Sequence, residues 1–332
     1  MSMWRSPWTV RILKLLVSTV LIAAVIWQVG PNAVVPEHVR WGYLLAATGL
    51  FLLSNLLGAY QWNLLLTSAG IELSERTVTR AYFIALFFNN FMVGNIGGDV
   101  LRAFEVRRNA ASNSHGRTAA GVATIIMDRF LGFFTMMWFA GVAAGFSEEH
   151  SKAAVPIVGL LGAFVVLGVL ITSRRIGTRV DSLVARLLPD RMAQTVVNLR
   201  TGFVCMRQRY RVLIFAAFIS GFVQGMRIVV HYLCGLAIGV NAPFIYFATF
   251  IPLISVAAAI PISFGGLGTR EWAAVGLFGT VGVGGAGVVT MELFAHAITL
   301  VSSLPGALAF VLRDDSRRVP SEELSPTQVE GP

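Results

Sequence analysis

Residues 81–98 have the sequence AYFIALFFNNFMVGNIGG, an apolar run interrupted by asparagine and glycine. Arginine-bearing stretches flank this run, at residues 68–80 and 99–117. Because basic residues in short loops mark the cytoplasmic side of a membrane, both flanks are predicted to be cytoplasmic. A single span cannot join two loops on one side, so we predict a re-entrant hairpin that turns at one of the polar interruptions. Irregular backbone at membrane depth requires surrounding protein or a wet cavity.

Further apolar segments surround this hairpin along the chain. A helix needs about 20 apolar residues to cross a bilayer. Six segments meet that length, at about residues 10–29, 42–67, 119–145, 154–172, 212–238 and 288–312. A second broken segment, residues 243–284, is interrupted at ISFGGLGTRE and is either a hairpin from the outside or a pair of short spans. The predicted fold is an all-α polytopic membrane helix bundle with about six full spans, two broken hairpins and an inverted repeat.

Composition supports a membrane protein and argues against several other classes. Apolar residues make up 55% of the 332 residues and charged residues 13%, whereas soluble domains are about a quarter charged. The net charge of +9 comes from arginines that flank spans, which argues against a nucleic-acid partner. Cys205 and Cys234 imply no disulfide framework, and no spacing of ligands predicts a metal or cofactor site.

The distribution of arginine predicts how the chain is oriented. The largest excess lies at residues 173–211, predicted to be an amphipathic cytoplasmic segment broken at Pro189. The N-terminus is also basic, so both termini are expected in the cytoplasm. The expected location is the plasma or inner membrane. Residues 1–315 form the predicted integral membrane domain, and residues 316–332 the predicted disordered tail, which is rich in Pro, Ser and Glu.

The two broken segments share a short pattern. Gly-Gly-x3-Arg occurs once at residues 97–102 and again at residues 265–270. Interrupted segments at corresponding places in two inverted halves indicate a transporter's binding site. Chance recurrence of packing glycines is the alternative explanation.

Three stretches carry a resemblance to a known family: GNIGGDVLRAFEVRR, GRTAAGVATIIMDRFLGFF and PISFGGLGTREWAAVGLF, which begin at residues 94, 116 and 261. They resemble the transmembrane region of the lysylphosphatidylglycerol synthase family, whose members include flippase-like membrane proteins, and the resemblance covers about residues 8–312. It implies functional or structural roles for Gly98, Asp99, Arg102, Arg129, Gly265, Gly266, Gly268, Glu271 and Gly306.

The sequence departs from this family at two positions and in its length. Phe264 stands where many relatives have proline, and the region near His296 lacks an arginine that many relatives carry. The full-length synthase has a soluble aminoacyl-transferase domain after its membrane region. This chain ends about 20 residues past the last predicted span, so synthesis of lysyl-lipid by this chain alone is not expected.

Charged residues inside spans are costly and usually face the bundle interior. Asp99 and Arg102 are either a headgroup clamp or an interfacial ion pair. Arg270 and Glu271 follow a glycine-rich turn, where they either complete an anion site at a helix start or merely begin a helix.

Three more sets lie within predicted spans. Asp128 and Arg129 point about 100° apart on a helix, so each needs another partner, most simply across a helix interface. Arg227 shares a face with Gln224 and His231, either to contact phosphate or to pair with Asp128 or Glu292. A polar stripe on the last span is either a proton relay or a satisfied hydrogen-bond set, and it comprises Glu292, His296, Thr299 and Ser303.

These sets favour a transporter or flippase-like protein for an anionic or phosphate-bearing lipid. The alternatives are a lipid-headgroup-modifying enzyme, or its membrane module, and a scaffold of envelope lipid synthesis. No catalytic arrangement is visible, so an enzyme is not the favoured class. Predicted substrate-binding residues are Asp99, Arg102, Arg227, Gly265, Gly266, Arg270 and Glu271. The predicted relay or structural polar network comprises Asp128, Arg129, His231, Glu292 and His296. Expected partners are anionic membrane lipids, with a second copy of the chain or a separate lipid-modifying enzyme as protein partners.

The predicted topology can be tested through Cys205, which lies in the cytoplasmic segment. A membrane-impermeant thiol reagent is expected to modify Cys205 only after cells are opened, because the arginine excess places residues 173–211 inside. Labelling is followed by mass spectrometry, with Cys205→Ser as the control. Modification in intact cells would contradict the topology.

Overall fold

The computed structural model describes residues 38–91, 97–109, 115–146, 157–159, 161–163, 165–166, 190–259 and 267–312. Its main helices are α1 (Trp41–Ser68), α2 (Glu75–Phe91), α3 (Gly97–Asn109), α4 (His115–Gly145), α5 (Asp190–Gln208), α6 (Tyr210–Ala237), α7 (Phe244–Ala259), α8 (Thr269–Gly279) and α9 (Gly285–Val311). Every regular element within these ranges is helical, which confirms the all-α prediction.

Four helices are long and apolar enough to cross a membrane: α1, α4, α6 and α9. A helix of 28 residues, the length of α1 and α6, spans about 42 Å at 1.5 Å per residue, against a hydrocarbon core of about 30 Å. Four of the six predicted spans are therefore confirmed. The span predicted at residues 10–29 lies outside the described residues, and the one at 154–172 lies mostly outside them.

A pair of short helices in contact occupies or adjoins each broken segment. The first pair comprises α2, with 17 residues, and α3, with 13, and the segment predicted at residues 81–98 contains most of α2 but only the first two residues of α3. The second comprises α7, with 16 residues, and α8, with 11. The partners within each pair pack against each other, and the connecting residues 92–96 and 260–266 lie outside the described part of the chain. The re-entrant path of either pair stays a prediction.

The stretch 99–117 differs from its prediction as a cytoplasmic loop. Helix α3 covers Gly97–Asn109, and α4 begins at His115. Arg102 in α3 is 3% exposed, so it does not contribute to a loop surface. The physical reason is that Asp99 and Asp128 neutralise its charge, which makes burial of a polar helix tolerable.

Apolar packing joins the helices into one bundle around two main cores. The larger core joins α1, α6, α7, α8 and α9, and Phe278 of α8 meets Phe247 and Phe250 edge-on at 5.1 and 5.2 Å. A second core packs α1, α2, α3 and α4. The outer side of α6 exposes Phe218 and Phe222, as expected for a helix that faces lipid rather than water.

Helix α5 forms the second half of the segment predicted to be amphipathic. It begins at Asp190, directly after Pro189, and it packs mainly on α4. Phe203 and Met206 are buried against that helix, whereas Cys205 is exposed. All of the first half, residues 173–189, lies outside the described ranges, as does the tail beyond residue 312.

Two glycines let α2 lie unusually close to its neighbours. A methyl group on Gly306 of α9 would collide with the carbonyl oxygen of Phe83, and one on Gly98 of α3 would collide with that of Ala85. The backbone amide of Gly98 also donates to Asn89 Oδ1 at 2.8 Å. Helix α2 therefore packs between α3 and α9 at a backbone separation that a residue larger than glycine at either position would not permit.

Replacing Gly306 by alanine is expected to destabilise the protein by about 1–3 kcal/mol, the usual range for overpacking. The matched control is Gly221→Ala on α6, where the added methyl group would meet nothing within 4 Å. Both variants are heated in detergent, and the folded fraction is measured by size-exclusion chromatography. Equal midpoints for the two variants would show that the α2–α9 approach is not tight.

Candidate functional site

A cavity of about 250 Å³ lies between the long helices and the two broken helix pairs, α2–α3 and α7–α8. Drug-sized ligands occupy pockets of about 300–1,000 Å³, so this volume suits a small polar group rather than a large ligand. The arginine, histidine and carboxylate residues of its wall are Arg102, Asp128, Arg129, Arg227, His231, Arg270 and His296. Four of these seven are arginines and one is a carboxylate, so the described lining is predominantly cationic.

The cavity unites residues that the sequence placed in separate segments. Arg102 comes from the first broken pair and Arg270 from the second. Asp99, Glu271 and Glu292 are not among the described lining residues. Asp99 and Glu292 contact arginines of the wall, and Glu271 accepts a hydrogen bond from Gly268 at the start of α8. Gly265 and Gly266 lie outside the part of the chain that the structure describes.

Asp99, Arg102, Asp128 and Arg129 form an ion-pair cluster between α3 and α4. Arg129 donates through Nε and Nη2 to the two carboxylate oxygens of Asp99, each at 3.1 Å. Arg102 Nη2 donates to Asp128 Oδ2 at 2.9 Å, whereas its contact with Asp99 is longer, at 3.6 Å. The strongest pairs therefore cross between helices, and the cluster is neutral.

Helices α1 and α2 complete the surroundings of this cluster. Gln61 Nε2 donates to Asp128 Oδ1 at 2.9 Å. The guanidinium of Arg102 lies 4.1 Å from the ring centroid of Trp62 and 5.1 Å from that of Tyr82, within the range of cation–π attraction. The sequence patterns do not predict a role for these three residues. The one available signal was Gln61, a polar residue within an apolar span.

Gly268, directly before α8, adopts φ +87°, a conformation that favours glycine. The backbone N–H of Gly268 donates to Glu271 Oε2 at 2.6 Å. This contact satisfies one of the free N–H groups at the helix start. The geometry thus gives Glu271 a helix-capping contact, while its neighbour Arg270 lines the cavity.

Arg227 lines the cavity from α6 together with Gln224 and His231. No described carboxylate lies within 4.0 Å of its guanidinium, and its buried Nε makes no hydrogen bond to a described residue. The pairing of Arg227 with Asp128 or Glu292, one of the two alternatives raised by the sequence, is not formed. Gln224 Oε1 is also buried without a described hydrogen-bond partner.

Glu292 of α9 is fully buried behind the cavity wall. Its Oε2 lies 3.6 Å from His231 Nε2 and 4.0 Å from Arg270 Nε. His296 and Thr299 line the cavity, but among the described residues no ion-pair contact of 4.0 Å or less joins the Glu292 carboxylate to the His296 ring. The histidine nearest to Glu292 comes from α6, which spacing along α9 could not reveal.

The remaining polar groups of the stripe are hydrogen-bonded within the bundle. Thr299 donates to the carbonyl of Ala295 at 3.0 Å, and Asn90 Nδ2 donates to Ser303 Oγ at 3.0 Å. Within the residues described, no group of three histidine, cysteine, aspartate or glutamate side chains could hold a metal ion.

Four helices of membrane-crossing length, two broken helix pairs and a cavity lined by four arginines define a polytopic integral membrane protein. The sequence profile of the lysylphosphatidylglycerol synthase transmembrane region matches residues 11–306, so the chain belongs to that family. It is similar to a UPF0104 membrane protein of Pyrococcus horikoshii, with 22% identity over 314 residues that cover 87% of this chain and 92% of that protein. No solved structure matches the chain.

The ion-pair cluster predicts unequal effects of two substitutions. Asp128→Asn leaves the buried Arg102 without its closest carboxylate, and losing one partner of a buried pair costs about 3–5 kcal/mol. Arg129→Gln is expected to cost less, because the Arg129 side chain is 41% exposed. Thermal midpoints in detergent measure both. A larger loss for Arg129→Gln would contradict the cluster's described burial.

Proposed function

We propose that this protein moves an anionic, phosphate-bearing lipid across the membrane, as a flippase-like transporter. The observation that carries the proposal is Arg227, which faces the cavity without a carboxylate within 4.0 Å among the described residues. Arg227 is half-buried, and its buried Nε has no hydrogen-bond partner among the described residues, so a counter-charge would stabilise it. A ligand phosphate in the cavity would supply that charge.

The pairing of the four cavity arginines supports this assignment. Arg102 and Arg129 bond closely to aspartates, whereas Arg270 has, among the described residues, one carboxylate contact, with Glu292 at 4.0 Å. Arg227 and Arg270 are therefore the two arginines available to a ligand. A phosphate group cannot cross hydrocarbon without replacing its water, and arginine's planar fork matches phosphate oxygens.

The arrangement of the two broken helix pairs around the cavity also supports a transporter. Both pairs line the cavity, α2–α3 through Tyr82 and Arg102 and α7–α8 through Ser255 and Arg270. Transporters built from inverted halves place their site between such interrupted segments. The family's description names a lipid synthase, which supports a lipid as the cargo.

The proposed setting is the plasma or inner membrane, with both termini in the cytoplasm and anionic lipids as partners. The competing proposal is a lipid-headgroup-modifying enzyme or its membrane module. The two differ in their product, because a transporter returns the lipid unchanged whereas an enzyme alters its mass.

The test uses phosphatidylcholine vesicles that contain the purified full chain and a trace of fluorescent phosphatidylglycerol. An impermeant quencher added outside bleaches only the outer leaflet, so movement of the probe increases the bleached fraction beyond half. Arg227→Gln is expected to slow this movement about tenfold or more, since a charged hydrogen bond contributes about 1.5–3 kcal/mol. Arg211→Gln, an exposed position on the same helix, is the matched control and should move the probe normally.

Folding of Arg227→Gln is checked by its elution and thermal midpoint. A folded Arg227→Gln protein with wild-type movement would overturn the proposal, as would wild-type protein that moves no probe. A change in lipid mass after incubation would favour the enzyme instead.

A further inference from the structure

The carboxylate of Glu292 is buried without the hydrogen bonds that such a group requires. Its side chain is 0% exposed, and neither oxygen accepts a hydrogen bond from a described residue. Buried carboxylates are ordinarily paired and hydrogen-bonded, because an isolated charge in a dry interior is costly. Glu292 therefore needs an explanation beyond packing.

The orientation of His231 supplies part of that explanation. His231 Nδ1 lies 2.9 Å from the backbone carbonyl oxygen of Arg227. A carbonyl oxygen can only accept, so Nδ1 carries a proton and donates it. The other ring nitrogen, Nε2, then faces Glu292 Oε2 at 3.6 Å.

This geometry favours an additional proton on one of the two side chains. With Nδ1 protonated, a neutral imidazole presents a lone pair at Nε2, which an ionised carboxylate repels. The contact becomes favourable when one more proton is present, on Nε2 or on the carboxyl group. In either form the Glu292–His231 pair has a net charge of zero, and loss of that proton leaves a net charge of −1.

The charge of this pair acts directly on a cavity arginine. Arg270 Nε lies 4.0 Å from the same oxygen, Glu292 Oε2. The other ionisable groups in electrostatic range of Glu292 are Cys234 on α6, Glu271 on α8 and His296 on α9. Helices α1 and α2 also pack against α9, and their described residues place no basic side chain within 4.0 Å of Glu292.

We infer that the Glu292–His231 pair is a proton-binding site that couples proton binding to anion binding in the cavity. The inference rests on the proposed function, which places the anion at Arg227 and Arg270. When the pair holds its proton it is neutral, and Arg270 is available to the anion. When the proton leaves to water, Glu292 attracts Arg270 and competes with the anion. One proton and one anion therefore bind together.

Thermodynamic linkage gives this coupling a measurable size. Two ligands that favour each other do so reciprocally. For one coupled proton, the dissociation constant of the anion should rise about tenfold per pH unit where the pair loses its proton. Glu292→Gln mimics the protonated carboxyl group, so this variant should bind the anion with an affinity that no longer depends on that proton.

The experiment measures proton uptake during binding. The purified full chain in detergent is titrated calorimetrically with short-chain phosphatidylglycerol near neutral pH, in two buffers of different ionisation enthalpy. The difference between the two heats gives the number of protons taken up. Wild-type protein is expected to take up a measurable fraction of a proton, approaching about one per lipid at higher pH. Glu292→Gln should take up none, and Glu72→Gln, at an exposed position, should match wild type.

The outcomes separate this inference from the proposed function. Lipid binding by wild-type protein without proton uptake at any pH tested overturns the coupling and leaves the lipid cargo intact. Proton uptake that persists in Glu292→Gln and vanishes in His296→Gln would assign the proton to His296. That result also overturns the proposed coupling at the Glu292–His231 pair. Should Glu292→Gln fail to fold, His231→Gln replaces it and is expected to lose the uptake. Uptake with inorganic phosphate but not with the lipid supports the proton site and overturns the lipid cargo, whereas binding of neither overturns both.

Discussion

Charge neutralisation around Arg102 is the interaction on which the architecture depends. A guanidinium that is 3% exposed can be buried only because Asp128 of α4 and Asp99 of α3 lie beside it. This pairing holds the short, polar helix α3 against the long helix α4. Helix α2, which packs on α3 with the close approach at Gly98, is positioned in turn. The cavity wall formed by the first broken pair thus follows from one buried charge.

The two sides of the cavity treat their arginines differently. On the α3–α4 side, Arg129 and Arg102 have close carboxylate partners, so their charges are satisfied within the protein. On the α6–α8 side, Arg227 has no described carboxylate within 4.0 Å, and Arg270 has one at the edge of that range. The α3–α4 side is thus neutral and closely ion-paired, whereas the α6–α8 side is cationic and less closely paired. Such an asymmetry suits a site in which ion pairs hold one wall in place while the positive charge of the other wall is available to a ligand.

Sequence patterns predicted the parts of the fold that depend on local chemistry. Helix α1, predicted at residues 42–67, covers Trp41–Ser68, because apolar length alone determines a span. Helix α3 was mistaken for a loop, since its burial depends on Asp128 in a different helix. The partner of Glu292 was missed for the same reason: spacing along α9 pointed to His296, whereas the structure brings His231 from α6. Ion pairs between distant segments have no signature in a single sequence.

Under the proposed function, the size of the cavity has a consequence for which lipids the protein could distinguish. A space of about 250 Å³ admits a headgroup, and the acyl chains of any such lipid have to stay in the surrounding bilayer. There they meet the same hydrocarbon whether they are long or short, saturated or not. Discrimination would then fall on the polar end of the molecule alone. A protein built in this way would accept a membrane's changing fatty-acid composition without any change in its own sequence.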